Sequence, residues 1–274
     1  MPMSPRLLRP RASGSAIVAS DADARAYVLA VNAADGQPLE PAVQLAINDF
    51  IVGCKADGIW NAIKASCILM GARTLSGALT PLVGAAPTNN NFVSGDYNRR
   101  AGLLGDLSTK HLNSNRKNNA DPQDSQHFAA YLSAIPTGLG VLMGAGGGGT
   151  GASSVQRSGD ATAGSRSRSS TYTGSGINST AWTAGLWGKS RTGSSTLTIR
   201  IANTDNTLPS PFSVASQTPS SDDIFVFARN NGSGAAEFRA NARMAYYSIG
   251  EGLNLDTLGA RLTTLYNGIG VAIP

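Results

Sequence analysis

The stretch STLTIRIANT, residues 195–204, sets Leu197, Ile199 and Ile201 on one side of an extended chain and Thr196, Thr198 and Arg200 on the other. A period of two does not follow one face of a helix, so the segment specifies a strand with one buried side. Similar runs flank it. HFAAYLSAI (127–135), GVLMGA (140–145), TAWTAGLWGKS (180–190) and ARMAYYSIG (242–250) are short, apolar and separated by turn residues. DIFVFARN (223–230) is apolar on both faces and reads as a central strand. Many short strands between turns give a mainly β fold class, an antiparallel jelly-roll sandwich.

Composition agrees with strands and turns. Of 274 residues, 32 are Gly and only 14% are charged, while 41% are hydrophobic. The net charge is +5 and arginine dominates the bases. Nucleic acid would suit that balance, but no RNP-like or helix-turn-helix pattern accompanies it, so no specific nucleic-acid partner is expected. No apolar run approaches the roughly 20 residues of a membrane helix, and SAIVAS is too short for a signal-peptide core, so synthesis in a cytoplasm without membrane insertion is expected.

Four regions follow along the chain. Residues 1–20 read as an extended N-terminal arm, because Pro2, Pro5 and Pro10 fix φ and push their predecessors out of the helical region. Residues 21–72 read as a helical attachment region. It comprises a short helix ending near Gly36 and a helical hairpin, EPAVQLAINDFIVGCKADG followed by IWNAIKASCILMGA, with Cys54 and Cys67 near the contact. Residues 73–252 hold the β-sandwich; GLLG and KHLNSN are expected as edge strands, and the Gly/Ser/Thr/Arg stretch 144–180, taken alone, resembles a linker. Residues 253–274 form a C-terminal helix capped by Asn254, with Asp256 in its first turn. Its stripe Leu255, Leu258, Leu262, Leu265, Tyr266 and Ile269 suits packing on its own domain; a seam between copies is the alternative.

Chemistry-bearing motifs are sparse. Cys54 and Cys67, 13 apart, have neither metal nor redox spacing and read as buried thiols. Asp121, Asp124 and His127 recur every three residues, but Pro122 argues for a solvated turn over a metal face. GAGGGGTG lacks the Lys-Ser/Thr ending of a phosphate loop. Asp96, Asp106, Asp222 and Asp223 are unpaired and read as turn residues, where a glycosidase needs two carboxylates at a defined separation. No Ser/His/Asp arrangement stands out. The pattern predicts no enzymatic activity, no cofactor and no metal. Tyr172, Trp182 and Trp187 are candidate glycan contacts, with Tyr246 and Tyr247, although each also suits a core. RSRSS (166–170) is a basic loop for an anionic glycan or a partner, or a plain surface loop. Arg6, Leu7, Leu8, Arg9 and Arg11 form the candidate attachment arm: arginines for acidic groups on a neighbour, leucines for a shallow pocket.

Several stretches resemble a family of virion structural proteins of tailed bacteriophages, including cyanophages. They are LLRPRASG, the run from KADGIWNAIKASCILMGARTLSGALT to NRKNNADPQ, and FVFARN with ARMAYYSIGEGLNLDTLGARLTTLYNGIG. Such proteins are similar to concanavalin A-like, LamG-type jelly rolls. The resemblance implies a sandwich on the exterior of the particle, held to other virion proteins by its N-terminal region. The leading expectation is a tail-fibre or adhesin module, trimeric, with a host surface glycan as a possible partner. A capsid decoration protein is the alternative, and a tailspike-type glycan depolymerase a lower one. The resemblance carries no binding residues over.

Overall fold

The computed structural model describes residues 17–158, 163–175, 182–201 and 212–273. In chain order these form α1 (Ala22–Asp35), α2 (Pro41–Ala56), β1 (Ile63–Ile68), α3 (Leu75–Ala78), β2 (Thr88–Asn90), β3 (Tyr97–Asn98), β4 (Gly102–Leu104), β5 (His111–Lys117) and β6 (Gln126–Ala134). There follow β7 (Gly140–Ala145), β8 (Ser153–Arg157), β9 (Ala163–Ser167), β10 (Thr173–Ser175), β11 (Gly185–Arg191), β12 (Thr196–Ile201), β13 (Phe212–Ser213), β14 (Asp223–Val226), β15 (Arg229–Asn230), β16 (Ala236–Glu237), β17 (Arg243–Gly250) and α4 (Leu255–Ala272).

The strands build two sheets. The first runs β13-β12-β11-β6-β17-β4-β3, and β1 also pairs with β17. The second runs β10-β9-β8-β7-β14-β5-β2, extended by β15 and β16. Pairing is antiparallel apart from a parallel bridge between Arg229 and Gly144. The fold is a mainly β sandwich with helices, as the alternating pattern requires. DIFVFARN supplies a central strand, since β14 pairs with both β5 and β7. Leu197, Ile199 and Ile201 are fully buried.

A second apolar layer lies outside the sandwich. Phe128, Ala130 and Leu132 of β6 face the other sheet, while Ala129 and Tyr131 join a cluster with α1, α2 and α4. Tyr247 and Tyr246 divide the same way on β17. The three long helices therefore cover the outer face of the first sheet, which explains why its central strands are apolar on both sides. Asp21 caps α1 by accepting from the N–H groups of Asp23 and Ala24, Gly36 closes it at φ 68°, and Asn254 caps α4. Pro41 opens α2 at the position where a missing N–H costs nothing. The described chain enters on this layer: Ile17 packs against the helical cluster, and Gln44 Oε1 accepts the Val18 N–H at 3.0 Å.

Four local expectations are corrected. IWNAIKASCILMGA does not form the second arm of a helical hairpin: Ile63–Ile68 is β1, paired with β17. A short run buried on both faces carries no periodicity that separates strand from helix. The region 21–72 thus contributes a strand to the sandwich. KHLNSN is not at an edge, because β5 lies between β14 and β2, and GLLG lies between β17 and β3. The stretch 144–180 contains β8, β9 and β10. Its inward positions mix the small polar Ser153, Ser165 and Ser167 with Val155 and Ala163, so the apolar signal is weak.

Candidate functional site

Trp182 and Trp187 are 6% and 0% exposed and meet edge to face at 5.8 Å inside the sandwich. Their proposed glycan contact is thereby corrected: they are core, as are Tyr246 and Tyr247. Tyr172 alone of the candidates is half-buried at the surface; its hydroxyl accepts from Ser158 Oγ at 3.0 Å. Arg6, Leu7, Leu8, Arg9 and Arg11 lie outside the described residues.

The DPQDSQH segment turns at its exposed Pro122 and Gln123, as expected, but Asp121 and His127 at its ends are buried. Arg116 pairs with Asp121, which is 5% exposed, and Asp124 accepts from Ser216. His127 is fully buried, with Nδ1 2.6 Å from the Glu251 carbonyl and Nε2 2.9 Å from Ser248 Oγ. Burial pushes its pKa down to about 4. Among the described residues no three His, Cys, Asp or Glu side chains group as a metal site. The other carboxylates act locally. Asp106 accepts the N–H groups of Ser108, Thr109 and Lys110, Asp96 pairs with Lys110, and Asp223 pairs with Lys117.

One end of the sandwich has a basic interior. Lys189 is fully buried over the Phe128 ring and donates to Gln126 Oε1 and Ser167 Oγ. Burial drives its pKa well below the usual lysine range. Arg168 donates to the Asn118 and Asp121 carbonyls at 2.8 and 2.9 Å, and Arg191 to those of Ser167 and Val214. These side chains staple the loops at that end and are enclosed by them, so their work is structural.

Two surface features can receive a ligand. The first is a groove of about 450 Å³ between α1 and the segments around Trp60 and Leu82, with Tyr27, Ala26 and Ala30 along one wall. Trp60 stands between it and a smaller recess of about 360 Å³ reaching Lys55.

The second lies on the outer face of the second sheet, opposite the helices. Register places Phe225 beside Gly144, Gly144 beside Ser154, and Ser154 beside Arg166. Arg229 lies over Gly144, where a Cβ would meet its Cγ at 3.0 Å. Arg166 and Arg229 converge on Gly148 in the glycine run: a Cβ there would meet Arg229 Nη1 at 3.2 Å and Arg166 Cζ at 3.5 Å. Gly146, Gly147 and Gly148 have φ of 83°, 58° and 92°, which side chains rarely adopt, so only glycine lets this turn lie against the two guanidiniums. Each arginine also stacks on an aromatic ring, Arg166 on Tyr172 at 5.4 Å and Arg229 on Phe238 at 4.8 Å. The RSRSS and glycine signals were visible in sequence; Arg229 and Phe238 join them only through strand register.

The molecule is thus a two-sheet β-sandwich with a helical layer on one face and an arginine–aromatic face on the other. No family model and no curated protein matches the chain. Among solved structures it is similar to a Trypanosoma rangeli sialidase mutant displaying trans-sialidase activity, with TM-score 0.43 and 10% identity over 83% of this chain and 40% of that one. It is also similar to the NanB sialidase from Streptococcus pneumoniae, with TM-score 0.36 and 14% identity over 50% and 24%. A β-1,3-glucanase from Mycobacterium marinum gives TM-score 0.31 and 10% identity over 54% and 72%. The chain spans less than half the length of either sialidase. The expectation of no enzymatic activity is corrected here: the similar structures bear the names of glycosidases. Likeness at these TM-scores assigns no activity, substrate or residue to this chain.

Proposed function

We propose that the chain is a structural protein of a tailed-phage particle, a tail-fibre or adhesin module that takes part in host attachment. The observation that carries this reading is the molecule's two-sidedness. The described chain starts on the helical layer, and the arginine–aromatic face points the opposite way. The resemblance of residues 55–123 and 225–270 to tailed-phage virion proteins supports it. The arm and helical layer attach to other virion proteins, and the second sheet faces outward. Capsid decoration remains the rival placement within the same reading.

Deleting residues 1–16 tests attachment, because it leaves the described body intact. The truncated protein is expected to fold with an unchanged melting temperature and to be lost from particles assembled in its presence. Normal incorporation would overturn the anchoring role. Copies per particle, counted by quantitative mass spectrometry, separate the placements: tens or fewer for a fibre, hundreds for a capsid decoration. Sedimentation velocity of the purified chain tests the trimer that belongs to this reading.

A further inference from the structure

We infer that the outer face of the second sheet, around Gly148, binds an acidic saccharide, with its anionic group between Arg166 and Arg229 and a sugar ring against Phe238. This goes beyond the virion reading and stands without it.

Two cations converge on one point, and only one of them has a carboxylate partner. Arg229 donates from Nε to Glu237 Oε1 at 2.7 Å, whereas Arg166 donates from Nε to the Ser170 carbonyl at 3.3 Å. The proximity of Arg229 lowers the pKa of Arg166, after the larger effect of burial. An anion held by both guanidiniums relieves that repulsion and gains charge-assisted hydrogen bonds. Gly144, under the Arg229 stem, and Ser154 are buried, so a ligand group sits above them, against the half-buried Arg166 and the side-chain-free Gly148.

The aromatic component selects the rest of the ligand. Phe238 is 45% exposed, and its backbone sits at φ 47°, a conformation that a bulky residue seldom adopts. Its carbonyl is pinned by the Val141 N–H at 2.7 Å, which holds the ring outward beside Arg229. A rigid exposed ring next to an anion cradle fits a pyranose carrying a carboxylate or sulfate: the C–H face of the sugar covers the ring and the acid reaches the arginines. Nucleic acid suits the site less well. It needs a basic track along several phosphates, whereas Glu237 sits on one side of this pair.

The test is titration calorimetry of the full chain with trigalacturonate, its methyl ester and oligo-dT. Trigalacturonate is expected to bind, with affinity falling about tenfold or more in Arg166→Gln and in Phe238→Ala. The methyl ester is expected to bind at least about tenfold more weakly than the acid. Arg25→Gln, on the helical face, is expected to leave affinity unchanged, and melting curves of all three variants should match the parent. Absence of trigalacturonate binding overturns the proposal, as does binding that Arg166→Gln and Phe238→Ala leave intact. Equal or tighter oligo-dT binding that depends on the same two residues overturns the saccharide assignment.

Discussion

Phe50 of α2 and Tyr246 of β17 meet edge to face, with ring centroids 5.7 Å apart and planes at 69°. Both are buried, Phe50 at 3% and Tyr246 at 0% exposure. This contact joins the helical layer to the centre of the first sheet, and it makes the helices part of the sandwich's own stability. Truncating Phe50→Ala removes an aromatic pair and leaves a cavity, a loss of about 3–5 kcal/mol. We expect a single cooperative transition, lowered by about 10 °C, in a calorimetric scan. A separate early transition for the helices, with the sandwich melting unchanged, would contradict this coupling.

Cys54 and Cys67 are free and buried, and burial pushes both thiols up to about 12. Cys67 Sγ lies 3.4 Å from Tyr247 Oη inside the sandwich, and Cys54 of α2 is buried in the helical cluster. Ellman's reagent should therefore find no reactive thiol in the native protein at pH 8 and two after unfolding. Rapid modification of either cysteine in the folded state would show that its element is not packed as described.

His127 gives a pH dependence with a definite sign. Its folded pKa of about 4 lies below the ordinary 6.5, so the folded state disfavours the protonated ring. Its full contribution is present above pH 6.5 and is lost progressively as pH falls from 6.5 to about 4, a decline of about 3 kcal/mol. Imidazole resonances followed by NMR should show His127 still neutral at pH 5.5. Titration near 6.5 in the folded protein would contradict its buried, doubly partnered environment.

The tryptophans separate by environment. Trp182 and Trp187 are enclosed, while Trp60 is half-buried at its groove. Acrylamide should quench one component of the fluorescence, and Trp60→Phe should remove that component while leaving a blue-shifted remainder. Unchanged quenching in Trp60→Phe would mean that one of the other two is exposed.

What the sequence made legible depended on contrast between faces. Leu197, Ile199 and Ile201 alternate with polar residues, and the α4 stripe follows a helical period, so both elements were readable. β1 was not, because Ile63–Ile68 is buried on both faces and its spacing also satisfies a helix. β8 and β9 were hidden for the opposite reason: beside Val155 and Ala163, their inward positions include Ser153, Ser165 and Ser167, with Ser153 Oγ donating to Gln126 Oε1. Lys189, Arg168 and Arg191 look like surface charges in any window of sequence and are fully buried. Only the folded register reveals that Arg166 and Arg229, distant in sequence, flank the glycine run.

The central claim is that this chain stands on the outside of a phage particle with its second sheet outward. The most direct measurement is immunogold labelling of intact purified particles with an antibody whose binding requires Phe238 and its neighbours on β15 and β16. The account predicts label on intact virions, at a fixed position, that is lost when the arm is deleted. Purified particles that contain none of the chain, or that expose this epitope only after disruption, would contradict it.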